Sequence, residues 1–534
     1  MTKWMNNQSS VSPDPGLGGG IASAASIVVM SIALSRGLGF VRQAVINARF
    51  GVGAEADAWF AAFRIPDTVF MLLAGGALVS ALIPVYAEVK ARGEPEALYR
   101  LLCGVASLVL FATIVLAALG VLLAVPLMAV ITPGFDASTK MLAVETSRWL
   151  MLSPVVLALS AVVKAALQSE RKFLLPALSP VFYNVGIILG AVFLSYTFGL
   201  MGLVWGTLIG VCLHIGIQLP GVLVYRVPRV MLGYNNPDVL RVLRLMWPRL
   251  LGVAVLQASL IAVTILASTH GSSSVAAINN GFMLMLLPLG IFAMSLGEAS
   301  LPELSERWAT GDRKTFALRM SGIWRYVVFL TIPSAVGLVV LAEPLVAVLF
   351  QRGAFDVRAT ELTAMALRCF SIGLVGHAVV EILIRGFFAM QDTRTPVVVG
   401  SISLLVHVAL SWLLGLWIGI GGIALGVSVG VLVEASLLVL ILWRRSGFRL
   451  GAEEIRSMFS AVAAALIMGA IVAILRMLTW SSGVVDVGSV LLLLLYVVLA
   501  LGMYMLFMTL LGSAELLELR TRMNVRARVF GRRR

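Results

Sequence analysis

Fourteen times along this chain, a run of about twenty or more apolar residues is followed by a short polar break. Twenty residues of α-helix rise about 30 Å, the thickness of a bilayer's hydrocarbon layer. Inside that layer the backbone finds no water, so each run must satisfy its own hydrogen bonds as a helix. A closed barrel would instead show shorter segments of alternating polarity. The pattern predicts an all-α polytopic membrane protein with about 14 transmembrane helices. The expected spans cover residues 21–46, 57–86, 99–125, 142–166, 174–196, 200–224, 244–268, 274–303, 319–342, 363–389, 396–418, 421–443, 457–478 and 486–512.

Charge distribution sets the expected orientation. Only 12% of the residues are charged, yet the net charge is +14. Such an excess would suit nucleic acid if it lay on one patch, but here it follows the loops. Lys90, Arg92, Arg100, Arg171, Lys172, Arg226, Arg229, Arg241, Arg307, Arg313, Lys314, Arg394, Arg444, Arg445, Arg449 and Arg456 fall in alternate connections. The loops near 197–199, 269–273, 419–420 and 479–485 have no basic residue. Basic loops stay on the cytoplasmic side, which places both termini there and makes residues 513–534 a basic cytoplasmic tail. That tail also suits an anionic lipid surface, so membrane lipids are expected partners and nucleic acid is not. Residues 1–20 are rich in Ser, Pro and Gly and read as a disordered leader rather than a signal peptide.

An internal repeat divides the rest. Ile83-Pro-Val-Tyr-Ala-Glu88 followed by Gly93 matches Leu301-Pro-Glu-Leu-Ser-Glu306 followed by Gly311, and Gln168-Ser-Glu-Arg171 matches Gln391-Asp-Thr-Arg394. The offset is a little over 200 residues, or six spans. Six is even, so the two halves run in parallel, as in transporters whose cargo site lies between repeats. This predicts a six-helix lobe over 21–224, a second over 244–443 and two extra helices over 457–512.

Catalytic motifs are missing from the sequence. It has no phosphate-binding loop and no H-E-x-x-H zinc motif, so no enzyme activity, cofactor or metal is expected. Cys103, Cys212 and Cys369 lie in separate apolar runs with no disulfide-framework or metal spacing. Gly419-Ile-Gly-Gly-Ile-Ala424 imitates a dinucleotide fingerprint, but it joins two apolar helices and reads as turn and packing glycine.

The informative residues are charges inside apolar runs. A charged side chain at the centre of a spanning helix costs roughly 2.5–3.5 kcal/mol on insertion scales, so it usually faces a cavity or a partner. Arg36 and Arg42 lie in the first span, six positions apart and therefore about 240° apart on an ideal helix. They share a face only if the helix bends at Gly37 or Gly39. Asp57 opens the second span and Arg64 follows it. One reading makes these four a cationic cavity floor with Asp57 as orienter or gate. The other has Arg42 and Arg64 reaching the two surfaces while Asp57 caps a helix. In the second half, His377, Glu381 and Arg385 follow at i,i+4 spacing, and Glu298 and Glu434 lie at membrane depth. Glu298, Glu381, Arg385 and Glu434 are the candidates for coupling or gating, with a self-neutralising Glu381–Arg385 pair as the structural alternative.

Ser35-Arg-Gly-Leu-Gly-Phe-Val-Arg42, Phe50-Gly-Val-Gly53, Ala56-Asp-Ala-Trp-Phe60 and Phe63-Arg-Ile-Pro66 resemble the start of MurJ/MviN proteins. Thr132-Pro-Gly-Phe135, Leu349-Phe-Gln-Arg-Gly-Ala-Phe355 and Gln391-Asp-Thr-Arg-Thr-Pro396 extend that likeness over nearly the whole chain after the leader. These proteins are lipid II flippases of the multidrug/oligosaccharidyl-lipid/polysaccharide exporter superfamily. The resemblance implies a V-shaped pair of lobes in the bacterial cytoplasmic membrane. It also implies alternating access that carries lipid-linked peptidoglycan precursor outward, and a tail groove formed by the two extra helices. It makes Arg36, Arg42, Asp57 and Arg64 cargo-binding positions and lipid II the partner, with cell-wall synthesis proteins as candidate neighbours. Phe70 and Met283 stand where well-studied members have Arg, Gly75 where they have an acid, and spans seven and eleven lack their sodium-site Asp residues. A different polyprenyl-diphosphate-linked oligosaccharide, a cation-coupled drug exporter and a non-transporting scaffold of a cell-envelope complex are the alternatives.

Overall fold

The structure, a computed structural model, describes residues 15–222, 235–449, 451–481, 483, 485–513 and 515–516, with side chains omitted at 15–29, 32 and 248. The basic tail beyond residue 516 and residues 1–14 of the leader lie outside the described residues. The spans are α1 (Pro15–Phe50), α2 (Ala54–Ala91), α3 (Pro95–Leu122), α4 (Ala137–Ser169), α5 (Leu174–Phe198), α6 (Leu200–Val222) and α7 (Pro237–Ser268). They continue as α8 (Ser274–Ala309), α9 (Arg313–Phe350), α10 (Val357–Ile372 and Leu374–Ala389), α11 (Arg394–Ile418), α12 (Ile420–Ser446), α13 (Ala452–Thr479) and α14 (Val487–Leu510). Among the described residues, twelve helices are long and apolar enough to cross a membrane, and α10, bent by 48° at Gly373, makes a thirteenth. Helix α1 covers the fourteenth expected span. It begins at Pro15, inside the expected leader, with proline at the first helical position, where its missing N–H costs nothing.

Helix starts are fixed locally. Asp136 caps α4, Asp312 caps α9, Asp356 caps α10 and Asp486 caps α14, each carboxylate accepting backbone N–H groups of the first turn. The hydroxyls of Ser138 and Thr139 hold the Asp136 carboxyl well below the usual range. Helix ends carry the repeat. Gly93 and Gly311 have φ of 73° and 79°, Arg171 and Gln391 both 59°, and Gly199 and Gly419 54° and 62°. These left-handed turns close the same helices in both halves. They align Arg171 with Gln391, not Gln168 with Gln391 as the short sequence match implied. The backbone turn sets the register, and the recurring Gln and Arg at that connection are not in register.

The chain divides into two compact units. The first comprises the described residues within Met1–Val45, Val69–Ala117 and Leu152–Met246. Its core packs Leu78, Leu82 and Val85 of α2, Leu101, Val105 and Val109 of α3, Ala158 and Val162 of α4, and Val239, Val242 and Met246 of α7. Lipid is as apolar as these side chains, so shape rather than water expulsion holds them. Glycines set the α5–α6 contact: a Cβ on Gly186 would stand 2.2 Å from the Gly210 Cα, and one on Gly190 2.5 Å from the Gly206 Cα. At one end the loop bases pair with acids. Lys90 and the Tyr86 hydroxyl bond Glu170 at 2.6 and 2.7 Å, Arg92 bonds Asp238 at 3.1 Å, and Arg241 bonds Glu88.

The second unit comprises Ile46–Thr68, Ala118–Met151 and the described residues from Trp247 onward. Here α13 and α14 dock on α9, fastened towards each end by a carboxylate. Glu515 accepts from Arg325 Nε at 2.9 Å and Ser457 Oγ at 2.7 Å. Glu343 bonds Arg476 and, at 3.5 Å, Arg368. The Tyr504 hydroxyl donates to the Phe329 carbonyl at 2.7 Å between them.

Candidate functional site

Arg36 and Arg42 belong to the first unit. Helix α1 runs unbroken through Gly37 and Gly39, so the two arginines stay on different faces. Arg36 is exposed, with no bonded partner among the described residues. Arg42 is partly buried and its Nη1 donates to Asn184 Oδ1 on α5 at 3.1 Å. The Asn184 amide in turn donates to the Ser35 carbonyl at 3.3 Å. Asn184 thus braces α1 on both sides of Arg36.

Asp57 and Arg64 belong to the second unit, where residues 46–68 pack against α7 and α8. The Asp57 side chain is fully buried. One carboxylate oxygen accepts from Ser273 N and the other from Ala276 N, each at 2.7 Å. These are first-turn donors of α8, which has no side-chain cap of its own because Ser273 sits at φ 84°. Asp57 therefore does cap a helix, but one more than 200 residues away in sequence. A carboxylate at that end also meets the positive pole of the helix dipole. Arg64 donates from Nε to Thr264 Oγ1 at 2.8 Å and from Nη2 to Asn279 Oδ1 at 2.6 Å. Its guanidinium is thereby held between α7 and α8. Asn47 and Asn280 exchange amide hydrogen bonds at 3.2 Å in both directions.

Backbone joins backbone beside this cluster. Ala354 N donates to the Ala48 carbonyl at 2.8 Å. Gly51 (φ 62°) and Gly353 (φ 60°) make that approach feasible, since added Cβ atoms would stand 2.3 Å from the Ala354 oxygen and 2.2 Å from the Ala48 oxygen. The Phe50-Gly51 and Arg352-Gly353-Ala354 motifs thus meet at one contact.

The coupling candidates do not converge. Glu381 and Arg385 form their i,i+4 ion pair on α10, and the Arg385 stem packs on Gly297 of α8. Glu298 is exposed, and Glu434 of α12 lies against Gly400 of α11. Among the described residues no cluster of three or more His, Cys, Asp or Glu could hold a metal. Asn184, Thr264, Asn279 and Asn280 were not singled out by sequence. Their signal was available, because each is a polar residue inside an apolar run.

Long apolar helices, with left-handed turns recurring at the same connections of two halves, define the fold of an all-α multi-pass membrane protein. A solved lipid II flippase MurJ in an inward closed conformation matches with a TM-score of 0.78, covering 90% of this chain and 98% of that one at 24% identity. A multidrug resistance MATE family transporter of the MOP superfamily, in an inward-facing conformation, matches at 0.66 over 79% and 98% with 16% identity. The sequence profile described as Lipid II flippase MurJ matches residues 46–511. The lipid II flippase MurJ of Burkholderia cenocepacia is 33% identical over 444 residues, 82% of this chain and 86% of its own length. The probable lipid II flippase MurJ of Vibrio cholerae is 31% identical over 434 residues, covering 77% and 81%. This chain belongs to the MurJ family of lipid II flippases, and it is a multi-pass membrane protein.

Proposed function

We infer that this chain moves lipid II from the inner to the outer leaflet of the bacterial cytoplasmic membrane by alternating access, with both termini inside. The observation that carries this is the family match over residues 46–511. The relatives' names favour lipid II over a different lipid-linked oligosaccharide or a scaffold role. The work is transport and not covalent catalysis. The enzymes that polymerise the cargo outside are its natural neighbours.

In this reading the repeat lobes are 21–224 and 244–443, and the pair 457–512 receives the lipid tail. Arg36 meets the cargo diphosphate, since a guanidinium pairs bidentately with phosphate oxygens. Arg42 is its braced companion. Asp57 and Arg64 belong to the gate, because they tie first-half residues 46–68 to second-half helices α7 and α8. That tie must break and re-form once per cycle. Glu381 and Arg385 neutralise each other and steady α10 against α8, while Glu298 and Glu434 are candidates for cation coupling.

The test is replacement in a bacterium depleted of its own flippase, with lipid II on the outer leaflet as readout. The parent should restore exposure. Arg36→Ala at matched membrane level should lose it by at least tenfold while unfolding at the parent's temperature. Exposure unchanged by Arg36→Ala removes that residue from the mechanism. No exposure from a well-inserted parent removes the lipid II assignment.

A further inference from the structure

At one end of the second unit, a cavity of about 310 Å³ opens between the start of α9 and the end of α12. Arg313, Lys314, Ala317, Leu318 and Ser321 form one wall, and Ser446, Gly447 and Arg449 form the other. Lys314, Leu318 and Ser321 follow at i, i+4 and i+7, so a single stripe of α9 is cationic at the helix end and apolar one turn further in. The opposite wall is a fixed hook. Gly447 (φ 70°) reverses the chain, Phe448 is buried with its ring 6.3 Å from that of Trp324, and Ser321 Oγ donates to the Arg449 carbonyl at 3.4 Å.

Three cations converge here without an ion-pair partner among the described residues. Arg313 stacks on Trp308 and donates to its carbonyl at 3.1 Å, and Arg449 lies 5.9 Å from the Trp443 ring. The acids of the flanking helices have bonded partners of their own, although the Asp312 carboxylate also acts electrostatically on Lys314. Asp312 accepts from Thr315 N at 3.1 Å, Glu303 pairs with Arg319 at 2.8 Å, and Asp392 pairs with Arg445. The repeat shows that this charge is not dictated by the turn. In the alignment that pairs Gly93 with Gly311, the first half has Pro95 and Glu96 where the second has Arg313 and Lys314.

We propose that this cavity binds the phosphate of an anionic phospholipid, at a site separate from the cargo arginines. Its rim argues for a lipid over a soluble phosphate. Leu318 and Trp443 are 63% and 45% exposed beside it, giving an acyl chain a surface to follow. Tryptophan concentrates at headgroup depth, where the phosphate of such a lipid lies. Arg313, Lys314 and Arg449 are then the cations that meet the phosphate, with the Ser321 and Ser446 hydroxyls beside them.

The full-length protein, stripped of lipid in detergent, would be titrated with phosphatidylglycerol or phosphatidylcholine and its bound lipids counted by native mass spectrometry. Lys314→Gln/Arg449→Gln should weaken the first phosphatidylglycerol by roughly tenfold or more. Phosphatidylcholine binding should not change, and Arg394→Gln/Arg456→Gln should behave as the parent. Lys314→Glu, which installs the first half's residue, should weaken phosphatidylglycerol as well, giving a second variant at an exposed position. Parent-like phosphatidylglycerol binding in both variants overturns the proposal. Competition by glycerol phosphate at the lipid's own concentration also overturns it, since the cavity would then be a soluble phosphate site.

Discussion

Replacing Asp57 by Ala removes both acceptors of the α8 N-terminus in one step. The lost bonds run from Ser273 N and Ala276 N at 2.7 Å each, to a carboxylate with no exposed surface. A hydrogen bond to a charged group contributes about 1.5–3 kcal/mol, and a buried donor left unpaired bears its full desolvation cost. The pair is therefore worth roughly 3–6 kcal/mol to the arrangement it closes. Asn is an informative second variant. It keeps one oxygen but aims an NH₂ at the other N–H, so roughly half the loss is expected. About 3 kcal/mol is a factor of about 10² in an equilibrium. Hydrogen exchange across residues 270–280, read by mass spectrometry, reports those two amides directly. Exchange at Ser273 and Ala276 should accelerate by about 10² or more in Asp57→Ala and by less in Asp57→Asn. In cells, a gate that no longer holds shut should lose outer-leaflet lipid II. Unchanged protection in a folded Asp57→Ala protein would refute the reasoning, because the amides would then be held by something other than this carboxylate.

Gly51→Ala or Gly353→Ala should lower the thermal unfolding temperature by the equivalent of at least about 1–3 kcal/mol, since each places a Cβ about 2.2–2.3 Å from a carbonyl oxygen on left-handed backbone. Gly93→Ala, also left-handed but in open space, should lose only the backbone strain. Glu515→Gln should loosen α13 and α14 by about 1–3 kcal/mol, read as faster proteolysis of that pair, because it removes the buried charge partner of Arg325 and leaves only the exposed Glu453 at 3.6 Å. Burial pushes the Glu515 carboxyl up, but bonds from Ser457 and Ser513 and the Arg325 charge outweigh it and hold the group below its ordinary range. Its stabilisation is therefore complete above the ordinary carboxylate range and is lost as pH falls through the lowered value. Unfolding temperatures between pH 7 and acid should show that loss in the parent and not in Glu515→Gln. Phe70→Arg should destabilise the chain and not speed flipping, because Phe70 packs on the first unit's core; a stable, faster variant would mean that this position faces water.

Helix positions were legible because periodic burial is not needed to recognise a span; length and apolarity suffice. The faces of those helices were harder to read. In lipid both sides of a span are apolar, so the amphipathic stripe that orients a helix in a soluble protein is missing. The sequence left Arg36 and Arg42 apart unless the helix bent at Gly37 or Gly39, and the unbroken α1 keeps them apart. Arg64 was not placed by sequence, because its partners Thr264 and Asn279 lie about 200 residues away and no local pattern joins them. Asp57 illustrates the same limit. The capping reading held, but for a helix that is distant in sequence, and the gate role is part of the proposed mechanism. The run Gly271-Ser-Ser-Ser-Val looks able to cap α8 by itself, yet the left-handed turn at Ser273 leaves that cap to Asp57.

The four candidate cargo residues of the first two spans thus divide by the bonds they already make. Arg36 is exposed and has no bonded partner among the described residues, and Arg42 spends one donor on Asn184. Asp57 and Arg64 are bonded to α7 and α8. In an alternating cycle a ligand shifts an equilibrium only by its differential affinity for the two states. Under the proposed mechanism Arg36 gains a phosphate when cargo enters, while Arg64 and Asp57 exchange neutral protein partners for water or cargo when the gate opens. A cargo group that replaces Thr264 and Asn279 at Arg64 would offset part of the cost of opening. A cavity without a ligand would bear that cost unpaid, with a guanidinium and a carboxylate stripped of fitted partners. This asymmetry gives the chain a physical reason to open loaded and stay closed empty. Under the same mechanism, arginine at Phe70 or Met283 would add fixed positive charge but no coupling, because coupling requires bonds that change between states.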